Sequence, residues 1–290
     1  MADFGVLMFA TEYSIAPHVL ASAAEARGFE SLFLPEHTHI PAVRETAWPG
    51  GRELPREYWN TYDPFVALAA AAVVTQTLKL GTGITLITER EPILMAKQVA
   101  TLDKLSDGRV LLGVGAGWNR EEMANHGTNY ATRWPLLQER IEAMRAIWND
   151  DEAQYHGKLV DFDPLWAFPK PVQPGGPPVL LGASSRWVYE RIAAYGDGWM
   201  PIHQDQARAA AQGEVDYVEG IARTREAWQA SARAGEPDFS IFGVGPDPAR
   251  IEALLEMGFN RIILALPSAD ADTVIPLLDR YAAVAGAING

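Results

Sequence analysis

Residues 111–119 read LLGVGAGWN, an apolar run that leads into three glycines at alternate positions. The turn that binds dinucleotides has the spacing G-x-G-x-x-G, lies in the first strand–helix–strand unit and is followed by an acidic residue about 20 positions later. Here the third glycine, Gly117, comes one position too early, and a tryptophan follows it. We therefore interpret the stretch as a strand whose glycine-rich end lets the backbone approach a ligand closely.

Seven other short apolar runs lie along the chain, separated by longer segments with helical patterns. Several of these runs are apolar throughout, which is typical of parallel strands that are covered on both faces. Together with the stretch above they predict eight strands, at residues 4–9, 31–35, 78–87, 109–115, 178–182, 197–202, 239–245 and 261–266.

The segments between the runs carry the residues that begin and end helices. The signals are Asp63-Pro64 and Asp247-Pro248 at N-termini, and Gly28, Gly108 and Gly258 at C-termini. A helix that closes on glycine and leads into a buried strand, as in EARGFESLFL (25–34) and LEMGFNRIILAL (255–266), is typical of repeated βα units. The sequence therefore predicts an α/β fold, a (β/α)8 TIM barrel that forms a single domain over residues 1–290. An open doubly wound sheet is the alternative.

Two segments interrupt this rhythm, and both follow predicted strands. Residues 38–63, after strand two, are rich in proline, glycine, charge and aromatic side chains. Residues 116–177, after strand four, contain one clear helix, on which Leu137, Ile141 and Met144 share a face, and then a proline-rich stretch. Insertions at the carboxyl ends of barrel strands build active sites, so we expect these two to surround the ligand.

Composition limits the classes of partner. The chain has 290 residues, a net charge of −13 and no cysteine. A charge of this sign repels phosphate backbones and anionic lipid, so we expect neither nucleic acid nor a membrane surface as a partner. The absence of cysteine excludes disulfides, thiolate–zinc sites and a cysteine nucleophile. Without a basic segment before the first apolar run we expect no signal peptide, and hence a cytoplasmic protein.

Five motifs occur in order over nearly the whole chain. They are LFLPEHTHIP (32–41), ELPREYWNTYDPFVALAAAA (53–72), LKLGTGITLITEREPILMAKQVATLDKLSDGRVLLGVGAGWNREEMANHG (78–127), FPKPVQPGGPPVLLGASS (168–185) and YGDGWMP (195–201). On these motifs the chain resembles the bacterial luciferase-like flavin and deazaflavin oxidoreductases, most of all the actinobacterial branch that uses coenzyme F420. The resemblance implies a TIM barrel, hydride transfer between F420 and a small organic substrate, and a homodimer; it does not indicate which substrate.

The resemblance also implies roles for individual residues. His37, in the PEH after strand two, is expected beside the reactive ring of the cofactor, where a histidine that titrates near neutral pH can donate a proton. A bulge with a non-proline cis peptide at Gly83-Ile84 is expected behind that ring. The cofactor phosphate is expected in the loop after strand five, at Gly182, Ala183, Ser184 and Ser185, where hydroxyls and backbone N–H groups meet the start of a helix.

One position departs from the family pattern. Sugar-phosphate dehydrogenases of the family carry an acidic residue directly after the strand-four glycines, and this chain has Trp118 there. We therefore do not transfer that activity, and we expect Trp118 to join His37 in the catalytic site by stacking on the ring or shaping the substrate pocket.

Other polar residues follow strands three and four. Thr85, Glu91, Asn119 and His126 are candidate cofactor-binding residues because of these positions. Glu36 is expected either to orient the His37 ring or to be solvated, and Glu89 and Arg90 either to face the cofactor or to form a solvated turn. Four glutamates are expected on helix surfaces: Glu121, Glu122, Glu139 and Glu142.

Three alternatives for the function stay open. The first is a two-component monooxygenase that uses FMN reduced by a partner enzyme. The second comes from another class: HTH at 37–39 places His37 and His39 two residues apart, as in metal-dependent barrel hydrolases, with His203 after strand six. The third is a cofactor-binding protein without chemistry.

Overall fold

The computed structural model describes residues 1–51, 53–204, 209 and 213–290. Its strands are β1 (Asp3–Leu7), β2 (Ser31–Leu34), β3 (Lys79–Thr82), β4 (Thr85–Leu86), β5 (Val110–Gly115), β6 (Ala153–His156), β7 (Asp161–Leu165), β8 (Val179–Leu181), β9 (Gly198–Trp199), β10 (Asp238–Val244) and β11 (Arg261–Ala265). Its helices are α1 (Pro17–Glu25), α2 (Glu57–Asn60), α3 (Pro64–Ala72), α4 (Pro92–Leu105), α5 (Arg120–Asn125), α6 (Arg133–Asn149), α7 (Val188–Tyr195), α8 (Tyr217–Ala230), α9 (Pro248–Met257) and α10 (Ala271–Asn289).

Eight parallel strands close into a barrel. Its order is β1-β2-β3-β5-β8-β9-β10-β11, and β11 pairs with β1 to complete the ring. The short strand β4 continues β3 after a break at Gly83-Ile84 and pairs with the end of β5. The predicted TIM barrel is confirmed, and each of the eight predicted strands overlaps an observed one.

The helices begin and end at or near the predicted capping residues. The Asp63 side chain accepts a hydrogen bond from the N–H of Val66 and starts α3, and Asp247 likewise caps α9. Such caps stabilise a helix by about 1 kcal/mol. Gly28, Gly108 and Gly258 have φ values of +79°, +79° and +110°, the left-handed backbone that favours glycine at a helix end.

The apolar core has two parts. A small cluster fills the barrel interior, and a larger one lies between the strands and the surrounding helices. Phe33 lies in the interior cluster and is fully buried because Gly81 on the neighbouring strand leaves room for its ring. A Cβ added at Gly81 would lie 2.3 Å from that ring, so a side chain there would displace it.

The two segments predicted as insertions lie after β2 and after β5. Residues 38–63 include α2 and are held by Glu121 of α5, whose side chain accepts hydrogen bonds from the N–H groups of Glu45 and Thr46. The second segment carries α5, α6 and the antiparallel hairpin β6–β7. In α6 the predicted apolar face is buried. Among the helices of the described residues, none is long and apolar enough to cross a membrane.

Candidate active site

A cavity of about 650 Å³ lies at the carboxyl ends of the barrel strands. Residues from both insertions and from the strand ends line it. Aromatic side chains make up much of its wall: Phe9, Trp48, Tyr58, Trp118, Trp134 and Phe242. A volume of this size with an apolar wall and a few polar groups is typical of sites that bind a cofactor and a small organic molecule.

His37 is the polar group that enters this cavity from the end of β2. Its Nδ1 lies 2.8 Å and 3.0 Å from the two carboxylate oxygens of Glu122, and both side chains are almost completely buried. The rings of Tyr58 and Trp118 lie beside it, with centroid distances of 5.2 Å and 5.9 Å. Because the carboxylate accepts from Nδ1–H, Nε2 is the ring nitrogen left for a ligand in the cavity.

The expectation that Glu122 lies on a helix surface is wrong. Glu122 is fully buried, and its N–H donates to Oδ1 of Asn119, the residue that caps α5. Because α5 begins shortly after the end of β5, the Glu122 carboxylate in its first turn lies next to Nδ1 of His37. The sequence held one signal, the N-x-x-E spacing of a capping box over residues 119–122, which places the glutamate in the first turn.

Glu36, next to His37, also lines the cavity and is held by three hydrogen bonds. It accepts hydrogen bonds from the hydroxyl of Thr85, from the N–H of Leu86 at 2.8 Å and from Nε of Arg90 at 2.6 Å. Burial lowers the pKa of Arg90, but Glu36 and Asp63 outweigh it and raise that pKa above its ordinary value. The hydroxyl of Thr85 is therefore engaged with Glu36, and Thr85, a predicted cofactor contact, is fully buried outside the cavity wall.

The peptide bond Gly83-Ile84 is cis, as the resemblance implied, and both residues line the cavity. Two glycines at strand ends make room for Ile84. A Cβ at Gly115 would lie 2.0 Å from its Cδ1, and a Cβ at Gly182 would lie 2.6 Å from its Cγ2. Of the glycines in LLGVGAGWN, Gly115 thus serves close packing around this bulge.

The loop after β8 forms another part of the wall. Gly182, Ala183 and Ser184 line the cavity, whereas Ser185 is exposed outside it and its carbonyl accepts from the N–H that begins α7. Arg133 also lines the cavity, and its guanidinium stacks on Tyr130 at 3.6 Å. Its Nε is buried and has no hydrogen-bond partner among the described residues. A guanidinium in the cavity wall fits the phosphate that both F420 and FMN carry.

Besides Thr85 and Ser185, three more of the predicted cofactor-binding residues lie outside the cavity wall. Glu91 is exposed and caps α4 by accepting from two N–H groups, and Asn119 caps α5. His126 ends α5, where its Nε2 lies 2.7 Å from the hydroxyl of Thr38. The sequence placed these residues after the correct strands, but helix capping determines where their side chains point.

The two histidines of HTH point to different partners. His37 faces Glu122, whereas Nε2 of His39 lies 2.8 Å from the side-chain amide of Asn125. Among the described residues no group of three His, Cys, Asp or Glu side chains could hold a metal ion. His203 lines the cavity without joining such a group.

Glu89, after Glu122 and Glu36, is a third buried glutamate, although the sequence also allowed a solvated turn there. It ends the short 3-10 turn Ile87–Glu89, and its side chain is 1% exposed. Burial, followed by the charges of Glu122 and Glu36, raises its pKa from 4.5 to about 9. Glu89 is therefore a neutral carboxylic acid at neutral pH.

Residues 17–282 match the sequence model that describes the luciferase-like monooxygenases. The chain belongs to this family. A protein of Mycobacterium tuberculosis that is described only as uncharacterized is 38% identical over 283 residues, which cover 97% of each chain. The resemblance drawn from the five motifs is thus confirmed.

Two other relatives have described functions that depend on different coenzymes. An F420-dependent hydroxymycolic acid dehydrogenase of M. tuberculosis is 29% identical over 188 residues, 64% of this chain and 48% of that protein. An FMNH(2)-dependent dimethylsulfone monooxygenase of Pseudomonas fluorescens is 32% identical over 181 residues, 61% of this chain and 45% of that protein. The family around this chain is therefore one of oxidoreductases that use F420 or FMN.

Solved structures share the fold over almost the whole chain. The monooxygenase RslO1 from Streptomyces bottropensis has a TM-score of 0.79 at 18% identity and covers 99% of this chain and 100% of its own. An F420-dependent secondary alcohol dehydrogenase in complex with an F420-acetone adduct has a TM-score of 0.75 at 19% identity, with 99% of both chains covered. At these identities the likeness shows the fold, a TIM barrel.

Proposed function

We propose that the protein is an F420-dependent oxidoreductase that moves a hydride between the deazaflavin and a neutral alcohol or carbonyl compound. The observation that carries this proposal is the buried pair of His37 and Glu122 at the cavity wall. A deazaflavin, when bound, supplies an obligate hydride acceptor and donor at its C5. The reaction then needs one further group, a proton donor and acceptor for the substrate oxygen.

His37 meets that need. Glu122 fixes its ring through Nδ1, so that Nε2 points to the cavity and can give or take the proton of the substrate oxygen. The carboxylate also stabilises the imidazolium when the ring carries both protons. Tyr58 and Trp118 flank the ring and exclude water from this part of the cavity.

The charge of the wall limits the substrate. Among the described residues that line the cavity, Arg133 is the one guanidinium or ammonium group. We assign it, with Gly182, Ala183 and Ser184, to the phosphate of the cofactor. Since the wall next to His37 consists of aromatic rings, the substrate end suits an uncharged, apolar molecule rather than a sugar phosphate.

The test is a titration of the purified protein with F420 and, separately, with FMN, followed by quenching of tryptophan fluorescence. Trp118 and Trp134 in the cavity wall supply the signal. Saturable binding of F420 with weaker binding of FMN, followed by turnover of secondary alcohols or ketones, is the expected result. A preference for FMN, with oxygen consumed on addition of reduced flavin, would favour the monooxygenase. Binding of neither would refute both.

A further inference from the structure

Glu89 is a buried acid that no step above uses. It lies directly behind the cavity wall: a Cβ at Gly117, which lines the cavity, would lie 3.5 Å from its Oε1. Neither of its carboxylate oxygens has a hydrogen-bond donor among the described residues. His126 comes nearest with a ring nitrogen, at 3.8 Å from Oε2, which is beyond a hydrogen bond.

The carboxyl group of Glu122 is a neighbour of Glu89 and, after burial, contributes most to the rise of the Glu89 pKa. Two carboxyl groups can bond to each other only if one of them carries a proton. Glu122 already accepts from Nδ1 of His37, which stabilises its charged form. The proton between the two acids therefore belongs to Glu89.

The two arginines around Glu89 do not form hydrogen bonds with its carboxyl group. Arg90 is bound to Glu36 and Asp63, so it does not serve Glu89. Arg140 acts on Glu89 through charge alone, and its Nη1 donates to the carbonyl of Ile87. An ionised Glu89 would thus add an unpaired negative charge beside Glu36 and Glu122 in a buried cluster.

We propose that Glu89 is a positioning residue that acts on His37 through Glu122. As a neutral acid it donates a hydrogen bond to the Glu122 carboxylate, which keeps Glu122 ionised and accepting from Nδ1–H of His37. The result is a chain of three side chains in which one buried proton on Glu89 decides which ring nitrogen of His37 carries hydrogen. This inference rests on the proposed function in one respect, which is that Nε2 of His37 exchanges a proton with the substrate.

Removal of Glu89 moves the buried proton. Without a donor behind it, Glu122 takes up a proton, donates to Nδ1 of His37 and shifts the ring hydrogen to Nε2. Nε2 of His37 then presents a hydrogen-bond donor to the cavity, whereas in the wild type it presents an acceptor. Glutamine at position 89 avoids this change, because its amide N–H still donates to Glu122.

The test uses the full chain without cofactor, with ¹⁵N in the histidine rings and ¹³C in the glutamate carboxyl groups. The His37 signal is assigned by its loss in His37→Ala, and the Glu89 signal by its loss in Glu89→Gln. We expect the wild-type Glu89 carboxyl to stay protonated at about pH 7 and His37 to carry hydrogen on Nδ1. Glu89→Gln keeps this ring signature, and Glu89→Ala changes the tautomer ratio by about fivefold or more. Glu252→Gln, on the exposed side of α9, is the matched control and leaves both signals unchanged.

Two results would overturn the proposal. One is a Glu89 carboxyl that titrates together with the exposed glutamates. The other is an unchanged His37 tautomer in Glu89→Ala. If the alanine variant does not fold, a changed ring signature in Glu89→Gln overturns the proposal equally well. Failure of F420 to bind leaves all of these signals untouched, so the failure of the proposed function is seen separately.

Discussion

As the pH rises, the wild type should lose stability that the Glu89→Gln variant keeps, so the variant should become the more stable of the two. The pKa of Glu89 is raised from 4.5 to about 9 by burial and by Glu122 and Glu36, so the folded state binds this proton more tightly than the unfolded state. Stability from this proton is complete below pH 4.5 and is lost as the pH rises towards 9. Each pH unit costs about 1.4 kcal/mol, so at about pH 7 the wild type has lost about 3 kcal/mol that glutamine does not lose. The side chain is 1% exposed, so solvent screening does not reduce this figure much.

The assay is urea unfolding of the wild type and of Glu89→Gln at several values between about pH 5 and about pH 8. The two free energies of unfolding should be similar at the acidic end and diverge by about 1.4 kcal/mol for each pH unit. Glu252→Gln, which changes an exposed glutamate of α9, should run parallel to the wild type. Parallel curves for Glu89→Gln, or a constant loss at every pH, would show that Glu89 is ionised in the folded protein.

Three further substitutions test the site. His37→Ala should keep F420 binding and lower turnover by about 10²–10⁴-fold, and unchanged turnover in a stopped-flow assay would contradict the role of the ring. Gly182→Ala should weaken F420 binding by about tenfold in a fluorescence titration, because its Cβ would lie 2.6 Å from Cγ2 of Ile84 and displace the bulge. Arg90→Leu should lower the free energy of unfolding by about 3–5 kcal/mol, because Glu36 is left buried without its partner. An unfolding curve like that of the wild type would show that Glu36 is neutral or solvated.

The fold was predictable because its signals are local. An apolar run predicts a buried strand, an aspartate before a proline predicts the start of a helix, and a glycine predicts its end. Each of these patterns spans only a few residues. Asp63, Asp247 and Gly258 are examples that the structure bears out. The cis bond at Gly83-Ile84 followed from the resemblance rather than from any local rule.

The acid network behind His37 was not predictable, because it joins residues far apart in the chain. Glu122 comes from the helix after β5 and Glu89 from the turn after β4, and each lies in a stretch whose sequence resembles an exposed helix or turn. Burial of a carboxylate depends on which partner the fold brings to it. The residues next to Glu89 and Glu122 in the sequence do not indicate these partners. Glu91 and Asn119 show the converse: their position after a strand end predicted a ligand contact, but nearby N–H groups bind their side chains.

The segment 38–63 contributes Trp48 and Tyr58 to the cavity, whereas Glu89 and Glu122, which control the proton, lie outside it. Trp118 and Trp134, which belong to the segment after β5, complete the same wall. Segment 38–63 also contacts the site directly, because Tyr58 packs beside His37 and Glu121 of α5 holds the backbone at Glu45 and Thr46. A graft of this segment from another member of the family would therefore change the surroundings of His37 together with the cavity wall.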